Sequence, residues 1–278
     1  MSYILDGATL SKTKQELLRT RVSEMNVTPH LVIVNIGDDV ASQVYIEKKR
    51  QFGESIGVKV TLQKFDAQTS EDEIVSLVQR CNEDATVHGI IVQLPMPNHL
   101  HKERVVNTIS PEKDVDGLTA RNMWRLMDNQ EGIIPATALG IQMLLEEVSI
   151  SLEGKHVVIV GDSFLVGKST AIHFLNLDAT VTVCHDKTKN LDTFTKQADI
   201  LVTAVGKENI ITAKHVHENQ VVIDVGIIRN SANSIVGDVA YDEVSKVVHA
   251  ITPVPGGIGP MTVASLFENI VSLVEAKN

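Results

Sequence analysis

The sequence predicts an α/β protein, and two observations support this class. Short β-branched runs of apolar residues recur along the chain, separated by longer amphipathic stretches of helix length. These runs are continuously apolar rather than alternating, which is typical of strands buried on both faces of a parallel sheet. The predicted strands cover residues 31–37, 58–63, 88–94, 156–161, 179–184, 199–206 and 220–226.

The alternation of strand and helix lapses between Asp116 and Pro135, which predicts a domain boundary there. We expect an N-terminal α/β catalytic domain from residues 1–135 and a Rossmann-type dinucleotide-binding domain with a parallel sheet from residues 136–261. Residues 262–278 have apolar side chains at helical spacing and are assigned to a helix of the first domain. We expect a cleft between the two domains, a common place for small-molecule sites.

Composition narrows the classes of function. The 278 residues include 25 Lys and Arg against 35 Asp and Glu, a net charge of -10, which argues against nucleic acid or an anionic membrane as a partner. No apolar run reaches the roughly 20 residues of a membrane-spanning helix, and the first residues lack signal-peptide features. A cytoplasmic protein is therefore expected. Cys81 and Cys184 have no CxxC or CxxH neighbours, so no metal site is predicted.

The stretch GDSFLVGKST, Gly161 to Thr170, follows a predicted strand and has the appearance of a P-loop. A Walker A loop has about four residues between its first Gly and the Gly-Lys-Ser/Thr, whereas five stand between Gly161 and Gly167. A glycine after a strand and another at a helix start instead favour close approach to a dinucleotide pyrophosphate. Asp186 comes just after the next predicted strand, where a Rossmann fold places an acidic residue on the adenosine ribose.

In ASQVYIEKKR, Ser42, Tyr45 and Lys49 share one helix face at spacing i, i+3, i+7. This helix face either lines a ligand site or faces solvent as part of the basic run from Lys48 to Arg50. Gln93 stands where the apolar run of HGIIVQLPMP ends, and α/β proteins build their sites at such strand ends. Asp116 in KDVDG belongs either to a simple Asx turn or to a site where its carboxylate accepts paired hydrogen bonds from a ligand.

The segment TPVPGGIGPMT, Thr252 to Thr262, directly opens a predicted helix. Its three prolines stiffen the backbone, and its three glycines permit close backbone approach. These features at a helix start favour a loop that contacts a ligand over a flexible linker.

Taken in order, these stretches resemble the bifunctional methylenetetrahydrofolate dehydrogenase/cyclohydrolase (FolD) family over essentially the whole chain. The resemblance is carried by ILDG, IGDDVASQVYIEKKR, GIIVQLPMP, PEKDVDGL, GKHVVIVGDSFLVGK, VTVCHDKT, ADILVTAVG, VIDVGI, VGDV and ITPVPGGIGPMT. It implies a two-domain homodimer of one-carbon metabolism that acts on tetrahydrofolate derivatives. Such an enzyme oxidises 5,10-methylenetetrahydrofolate with NADP and hydrolyses the methenyl product to 10-formyltetrahydrofolate.

The resemblance also implies roles for individual residues. Lys49 matches the catalytic lysine, and Gln93 its hydrogen-bonding partner. Tyr45 would stack on the folate, and Asp116 would anchor the pterin. Further substrate contacts are implied at Ser42, Pro255, Gly256 and Gly257. Cofactor contacts are implied at Gly161, Asp162, Ser163, Val166, Gly167, His185, Asp186, Gly206 and Ile227.

Departures from the family pattern fall on the cofactor side. Asp162 stands where the family usually has Arg, and Asp186 where it commonly has Ser. The remaining changes are Ser169 for Pro, Ile228 for Asn, and PATA (Pro135–Ala138) for PCTP. Carboxylates would repel the 2′-phosphate of NADP, whereas one could accept a hydrogen bond from the free ribose hydroxyl of NAD.

Three hypotheses follow from these departures. The chain is a dehydrogenase/cyclohydrolase whose preference has moved towards NAD, a cyclohydrolase with weak or lost dehydrogenase activity, or a non-catalytic folate- or nucleotide-binding relative. The intact set of Lys49, Tyr45, Gln93 and Asp116 argues against the third.

Overall fold

The computed structural model describes residues 2–277, with only the backbone described at position 41. The strands are β1 (Tyr3–Ile4), β2 (His30–Ile36), β3 (Lys59–Phe65), β4 (Gly89–Val92), β5 (His156–Val160), β6 (Thr180–Cys184), β7 (Ile200–Thr203), β8 (Val221–Asp224), β9 (Ile228–Arg229), β10 (Ile235–Val236) and β11 (Ala250–Ile251). The helices are α1 (Gly7–Ser23), α2 (Val40–Ser55), α3 (Glu71–Glu83), α4 (Lys102–Asn107), α5 (Ala120–Met127), α6 (Ala136–Glu147), α7 (Ser169–Leu175), α8 (Leu191–Thr195), α9 (Tyr241–Val244) and α10 (Ile258–Glu275).

The chain forms two compact units. The first unit comprises Lys12–Ala136 with residues 263–277, and the second comprises residues 2–11 with Thr137–Thr262. The chain therefore passes between the units three times, within α1, at the start of α6 and within α10.

The N-terminal segment is placed differently from the sequence-based domain range 1–135. Residues 2–11 lie in the second unit, because β1 pairs in parallel with β11 and sets Tyr3 opposite Ala250. A two-residue strand buries too little apolar surface for its pattern to indicate a partner.

The first unit is built on a parallel sheet of order β3-β2-β4. Every residue of β2 is buried. Leu31 and Ile33 contribute to one apolar cluster, and Val32 and Val34 contribute to another, because successive side chains of a strand point to opposite faces. Both faces are thus covered, as the continuously apolar sequence predicts.

The second unit is built on a parallel sheet of order β1-β11-β8-β7-β5-β6. The chain runs from β5 outward to β6 and then returns to β7 on the other side of β5. In doubly wound sheets of this kind, ligands bind at the carboxyl ends of the strands where the order reverses. A ligand site is therefore expected at the edge of the sheet where β5 and β7 end.

The α/β class with parallel sheets is confirmed. All seven predicted strands are present as β2 to β8, with ends that differ by at most a few residues. The pattern missed β1, β9, β10 and β11, which have two residues each. Such short strands form because neighbouring backbone supplies hydrogen-bond partners, as in the antiparallel pairing of β9 with β10.

Candidate functional site

Asp39 begins α2 and orients the helix face that carries three predicted site residues. One of its carboxylate oxygens accepts hydrogen bonds from the Ser42 N–H at 2.7 Å and the Ser42 hydroxyl at 2.8 Å. Such a cap satisfies a backbone donor that the first helical turn leaves unpaired. The Ser42 hydroxyl also lies 3.3 Å from the carbonyl oxygen of Leu94. Ser42 is buried, so its hydroxyl joins the start of α2 to the segment after β4.

Lys49 lies two turns further along this face and contacts Gln93. The Lys49 side chain is 7% exposed, and its Nζ donates to Oε1 of Gln93 at 3.1 Å. The Gln93 Nε2 donates to the Leu94 carbonyl oxygen at 2.9 Å, which turns the amide oxygen towards the lysine. An ammonium group has three donors, so this bond leaves capacity for a bound molecule.

Tyr45 lies between Ser42 and Lys49 on α2 and is half-buried. Burial raises the pKa of Tyr45 above its ordinary value, so the phenol is neutral and keeps its proton for donation. The Nζ of Lys48 lies 5.6 Å from the ring centroid, a distance at which a cation is attracted to an aromatic face. One face of the ring is therefore next to a cation.

Asp116 is brought to this group by a segment that runs beside β4. The Ile90 N–H donates to the Lys113 carbonyl oxygen at 2.7 Å, and Ile90 pairs with Asp114 in parallel register. This register places Asp116 near the carboxyl end of β4, where Gln93 follows. Burial raises the pKa of the Asp116 carboxyl above its ordinary value, and the positive charge of Lys49 opposes that rise.

Two residues of KDVDG that were not predicted as functional hold the Asp116 turn in place. Lys113 is buried, and its Nζ donates to three carbonyl oxygens at and after the end of α3, those of Cys81, Asn82 and Asp84. Asp114 accepts hydrogen bonds from the Thr119 N–H at 2.8 Å and from Nδ2 of Asn122 at 2.9 Å. The sequence signal that could have identified them is the presence of three charged residues in the short segment KDVDG. Charged side chains that become buried need hydrogen-bonding partners, so they often hold a turn in place.

Asn269 of α10 is a third residue that sequence reasoning missed. Its Nδ2 donates to the carbonyl oxygens of Val115 and Ile134, each at 2.9 Å. The amide therefore joins the backbone just before Asp116 to the segment that follows α5. No local signal marks this contact, because Asn269 lies 154 residues from Val115.

The second unit carries the glycine loop at the carboxyl end of β5. Gly161 has φ +121, and a Cβ there would collide with the Ala204 carbonyl oxygen. A Cβ on Gly167 would collide with the Gly161 carbonyl oxygen. Asp162 and Ser163 between them are exposed. Both glycines are thus required by close backbone packing, which leaves a strand-to-helix turn open to a ligand.

The helix that follows this loop begins with an unusual turn. Phe164–Lys168 forms a π-helical turn, in which the Lys168 N–H donates to the Ser163 carbonyl oxygen at 3.0 Å. The Ser163 hydroxyl accepts a hydrogen bond from the Val166 N–H at 3.3 Å. The fully buried Ser169 hydroxyl donates back to carbonyl oxygens of the same turn. A P-loop needs that hydroxyl free for Mg²⁺, so the apparent Gly-Lys-Ser motif does not form one.

The turn after β6 presents both signs of charge. The Lys187 Nζ lies 2.6 Å from a carboxylate oxygen of Asp186, and both side chains are largely exposed. His185 is also exposed, and its Nδ1 accepts a hydrogen bond from the Lys187 N–H at 3.2 Å. The Asp186 carboxylate is therefore next to a cation that also faces solvent.

The other predicted residues of the second unit follow β7, β8 and β11. Gly206 has φ +75, and Ile227 is 45% exposed. Gly256 has φ +112, and its carbonyl oxygen accepts a hydrogen bond from the Ala8 N–H at 2.8 Å. Pro255 is exposed, whereas Gly257 is buried where a Cβ would collide with the Pro253 carbonyl oxygen. Because these strands are parallel, their following turns lie along the same edge as the Gly161 loop.

In residues 2–277, no three His, Cys, Asp or Glu side chains come together in a way that could hold a metal ion. None of the helices in this range is long and apolar enough to span a membrane.

Two family models match the chain. Residues 5–116 match the catalytic domain of tetrahydrofolate dehydrogenase/cyclohydrolase, and residues 135–278 match its NAD(P)-binding domain. The chain belongs to this family. It is accordingly an enzyme whose second unit is an NAD(P)-binding domain.

Individual relatives agree along nearly their whole lengths. The bifunctional protein FolD of Ligilactobacillus salivarius is 46% identical over 99% of this chain and 98% of its own. The bifunctional enzyme FolD of Campylobacter jejuni is 40% identical in sequence to this chain. Its crystal structure matches with a TM-score of 0.98 and covers 100% of both chains. The Trypanosoma brucei FolD, solved with NADP and an inhibitor, is 30% identical, with a TM-score of 0.94 and coverage of 99% and 98%.

Proposed function

We propose that this enzyme catalyses two consecutive reactions of one-carbon metabolism. It oxidises 5,10-methylenetetrahydrofolate to the 5,10-methenyl compound with a nicotinamide dinucleotide, and it hydrolyses that compound to 10-formyltetrahydrofolate. The observation that supports this most strongly is the buried Lys49 hydrogen-bonded to Gln93 at 3.1 Å. The charge of this lysine also acts on Asp116, and the three residues come from separate parts of one unit.

Hydrolysis needs a water to attack the methenyl carbon, and it needs proton transfers as the ring opens. Lys49 is the residue that we assign to this chemistry, since its ammonium can give a proton to the departing nitrogen and regain one from the attacking water, while the other water proton passes to solvent. Gln93 restricts the position of Nζ through the hydrogen bond to Oε1. The Gln93 amide nitrogen donates to the Leu94 carbonyl oxygen, so the position of the acceptor for Lys49 is fixed.

Substrate orientation depends on the groups around the lysine. The Asp116 carboxylate would accept paired hydrogen bonds from the amino and ring N–H groups of the pterin. The Tyr45 ring would stack on the folate with the face that Lys48 does not cover. The Ser42 hydroxyl joins α2 to the segment after β4. We propose that this hydroxyl also contacts the substrate. Pro255, Gly256 and Gly257 are proposed to contact the folate as well.

Oxidation requires a bound dinucleotide, whose nicotinamide accepts a hydride from the methylene carbon. The residues that we propose to hold it lie at the carboxyl edge of the second sheet. They are Gly161, Asp162, Ser163, Val166, Gly167, His185, Asp186, Gly206 and Ile227. The Gly161 loop would accept the pyrophosphate because it is an exposed turn that leads from a strand into the start of a helix.

The family relation favours NADP, whereas two exposed carboxylates favour NAD. Asp162 and Asp186 would repel a 2′-phosphate, and either could accept a hydrogen bond from a free ribose hydroxyl. Lys187 partly offsets Asp186, since the two side chains pair at 2.6 Å. Asp162 has no such cation next to it in sequence, so we assign it the larger effect on preference.

The second candidate is a cyclohydrolase with weak or lost dehydrogenase activity. The altered cofactor side favours it, since the Lys49 group is complete while acidic residues replace the usual cationic and neutral ones. We further propose, from family membership, that the protein acts as a homodimer in the cytoplasm.

A direct assay separates these possibilities. Methenyl formation from 5,10-methylenetetrahydrofolate is followed with NADP and with NAD, and methenyl hydrolysis is followed separately. Both activities are expected, with NAD used at least as well as NADP. Hydrolysis without oxidation by either cofactor would establish the second candidate. The loss of both activities in a folded preparation would refute the proposal and leave a binding role.

A further inference from the structure

A fully buried carboxylate outside the predicted site lies directly beneath the turn after β7. Asp238 is 0% exposed and follows the β9–β10 hairpin. One of its oxygens accepts a hydrogen bond from the Val205 N–H at 2.7 Å, and the other accepts one from the Lys207 N–H at 2.8 Å. Hydrogen bonds to an ionised acceptor are about twice as strong as neutral ones. This carboxylate therefore fixes both sides of the Gly206 turn.

The turn after β7 leaves the Gly206 N–H without a hydrogen-bond acceptor within the described part of the chain. The Gly206 N–H lies between the two that bind Asp238, and in residues 2–277 it has no acceptor. Gly206 has φ +75, a left-handed conformation that favours glycine. Gly206 is exposed, as is Val205 at 44%, whereas Thr203 at the end of β7 is fully buried. The free amide thus stands at the carboxyl edge where the dinucleotide is proposed to bind.

A second buried carboxylate connects Asp238 to β8. Asp224 accepts hydrogen bonds from the Asp238 N–H at 3.1 Å and the Gly226 N–H at 2.9 Å. The Thr203 hydroxyl lies 3.2 Å from Asp238 and 3.3 Å from Asp224, so it is shared by both carboxylates. A Cβ on Gly226 would collide with Asp238. The turns after β7 and β8 are therefore held by one network.

We propose that Asp238 is a positioning residue for the dinucleotide, which it serves by holding the Gly206 turn so that the free amide donates to the cofactor. This inference rests on the proposed oxidation reaction. Asp238 does not touch the cofactor in this arrangement, because its oxygens are occupied by the turn itself. Its removal should therefore weaken cofactor binding without altering the chemistry of a bound cofactor.

The test is Asp238→Asn in the full chain, with dissociation constants for NADH and NADPH measured by fluorescence titration. An amide keeps the shape but presents an N–H₂ group to one of the two backbone donors. We expect the dissociation constant and the KM for the preferred dinucleotide to rise about tenfold or more, while kcat at saturation changes much less. Coulombic repulsion alone predicts the opposite, since removing a negative charge would strengthen binding of an anionic cofactor.

Gln220→Leu is the matched control. Gln220 is fully buried in the same unit at the start of β8, and its Nε2 donates to the carbonyl oxygens of Thr195 and Ala198. This variant breaks two buried hydrogen bonds at the opposite end of the sheet. Equal weakening of cofactor binding in both variants would mean general loosening of the unit and would overturn the proposal.

Thr203→Val serves if Asp238→Asn does not fold. It removes the shared hydroxyl at nearly constant volume and is expected to raise the cofactor dissociation constant about threefold. Unchanged binding in a folded Asp238→Asn, or in Thr203→Val where that variant alone folds, would overturn the proposal. A wild-type enzyme that binds neither NADH nor NADPH would instead refute the oxidation reaction on which it rests.

Discussion

Lys49 and Gln93 are 44 residues apart in the chain, and the lysine Nζ donates to the glutamine Oε1 at 3.1 Å. Lys49 comes from the third turn of α2, whereas Gln93 follows the end of β4. This hydrogen bond directly joins two of the residues assigned to hydrolysis. It leads directly to two predictions.

Lys49→Met should reduce methenyl hydrolysis by about a hundredfold or more, because it removes the proton-transfer group while retaining the length of the side chain. Hydrolysis is measured by the loss of the methenyl chromophore. Lys59→Met, at an exposed lysine of β3, should hydrolyse at the wild-type rate. A Lys49→Met enzyme with unchanged hydrolysis would remove Lys49 from the mechanism.

Gln93→Leu should reduce hydrolysis about tenfold, because Lys49 loses the acceptor that positions it. The double variant with Lys49→Met should be no slower than Lys49→Met alone, since the glutamine acts through the lysine. The half-buried Gln63 of β3 provides the control variant Gln63→Leu. Fully additive losses in the double variant would show that Gln93 acts independently.

Asp162→Arg should lower the KM for NADP about tenfold and leave the KM for NAD equal or higher, because it would place a cation where we propose that the 2′-phosphate binds. Steady-state oxidation with each cofactor measures the change. Glu153→Arg reverses the charge of an exposed residue before β5, at the other end of the sheet, and controls for net charge. If NADP use does not improve, the shape of the loop rather than its charge sets the preference.

His173 should make the fold sensitive to acid. The ring is buried in the second unit, and its Nε2 lies 2.6 Å from Oε1 of Gln142. Burial lowers the pKa of His173 to about 4. Since the unfolded chain takes up this proton near pH 6.5, stability is fully present above that pH and is lost as the pH falls towards 4.

The His173 effect should amount to about 2 kcal/mol between pH 7 and pH 5. Urea unfolding followed by circular dichroism gives the free energy of unfolding at each pH. His173→Gln retains a hydrogen-bonding side chain but cannot titrate, so the wild-type enzyme should lose more stability than this variant over the interval. Parallel losses in the two proteins would contradict the prediction.

Asp224 should make the fold more stable as the pH falls, which is the opposite of the His173 effect. Burial raises its pKa to about 6, with the Asp238 charge adding to the rise and backbone hydrogen bonds opposing it. The folded protein thus takes up a proton that the unfolded chain releases near pH 4, so lowering the pH from 7 to 5 should add about 1 kcal/mol of stability. The stability difference between the wild type and Asp224→Asn should be larger at pH 5 than at pH 7. A difference that does not change with pH would mean that Asp224 does not titrate in this range.

Much of the fold could be predicted because its signals are local. The continuously apolar runs correspond to β2 through β8, and the spacing of Ser42, Tyr45 and Lys49 does place them on one face of α2. Gly161 and Gly167 were marked by their position after a strand and at a helix start. In each case consecutive residues carry the information, through strand burial, helix periodicity or the absence of a Cβ.

The sequence by itself determined the α/β class, the strands long enough to bury both faces, and the residue types available for hydrolysis. Tertiary structure alone decided that residues 2–11 join the second unit, and that Asn269 holds the backbone before Asp116. It also decided that Asp238 holds the Gly206 turn. These contacts join residues far apart in the chain, and a side-chain amide or carboxylate becomes a specific partner only when packing brings it to a backbone group and removes water.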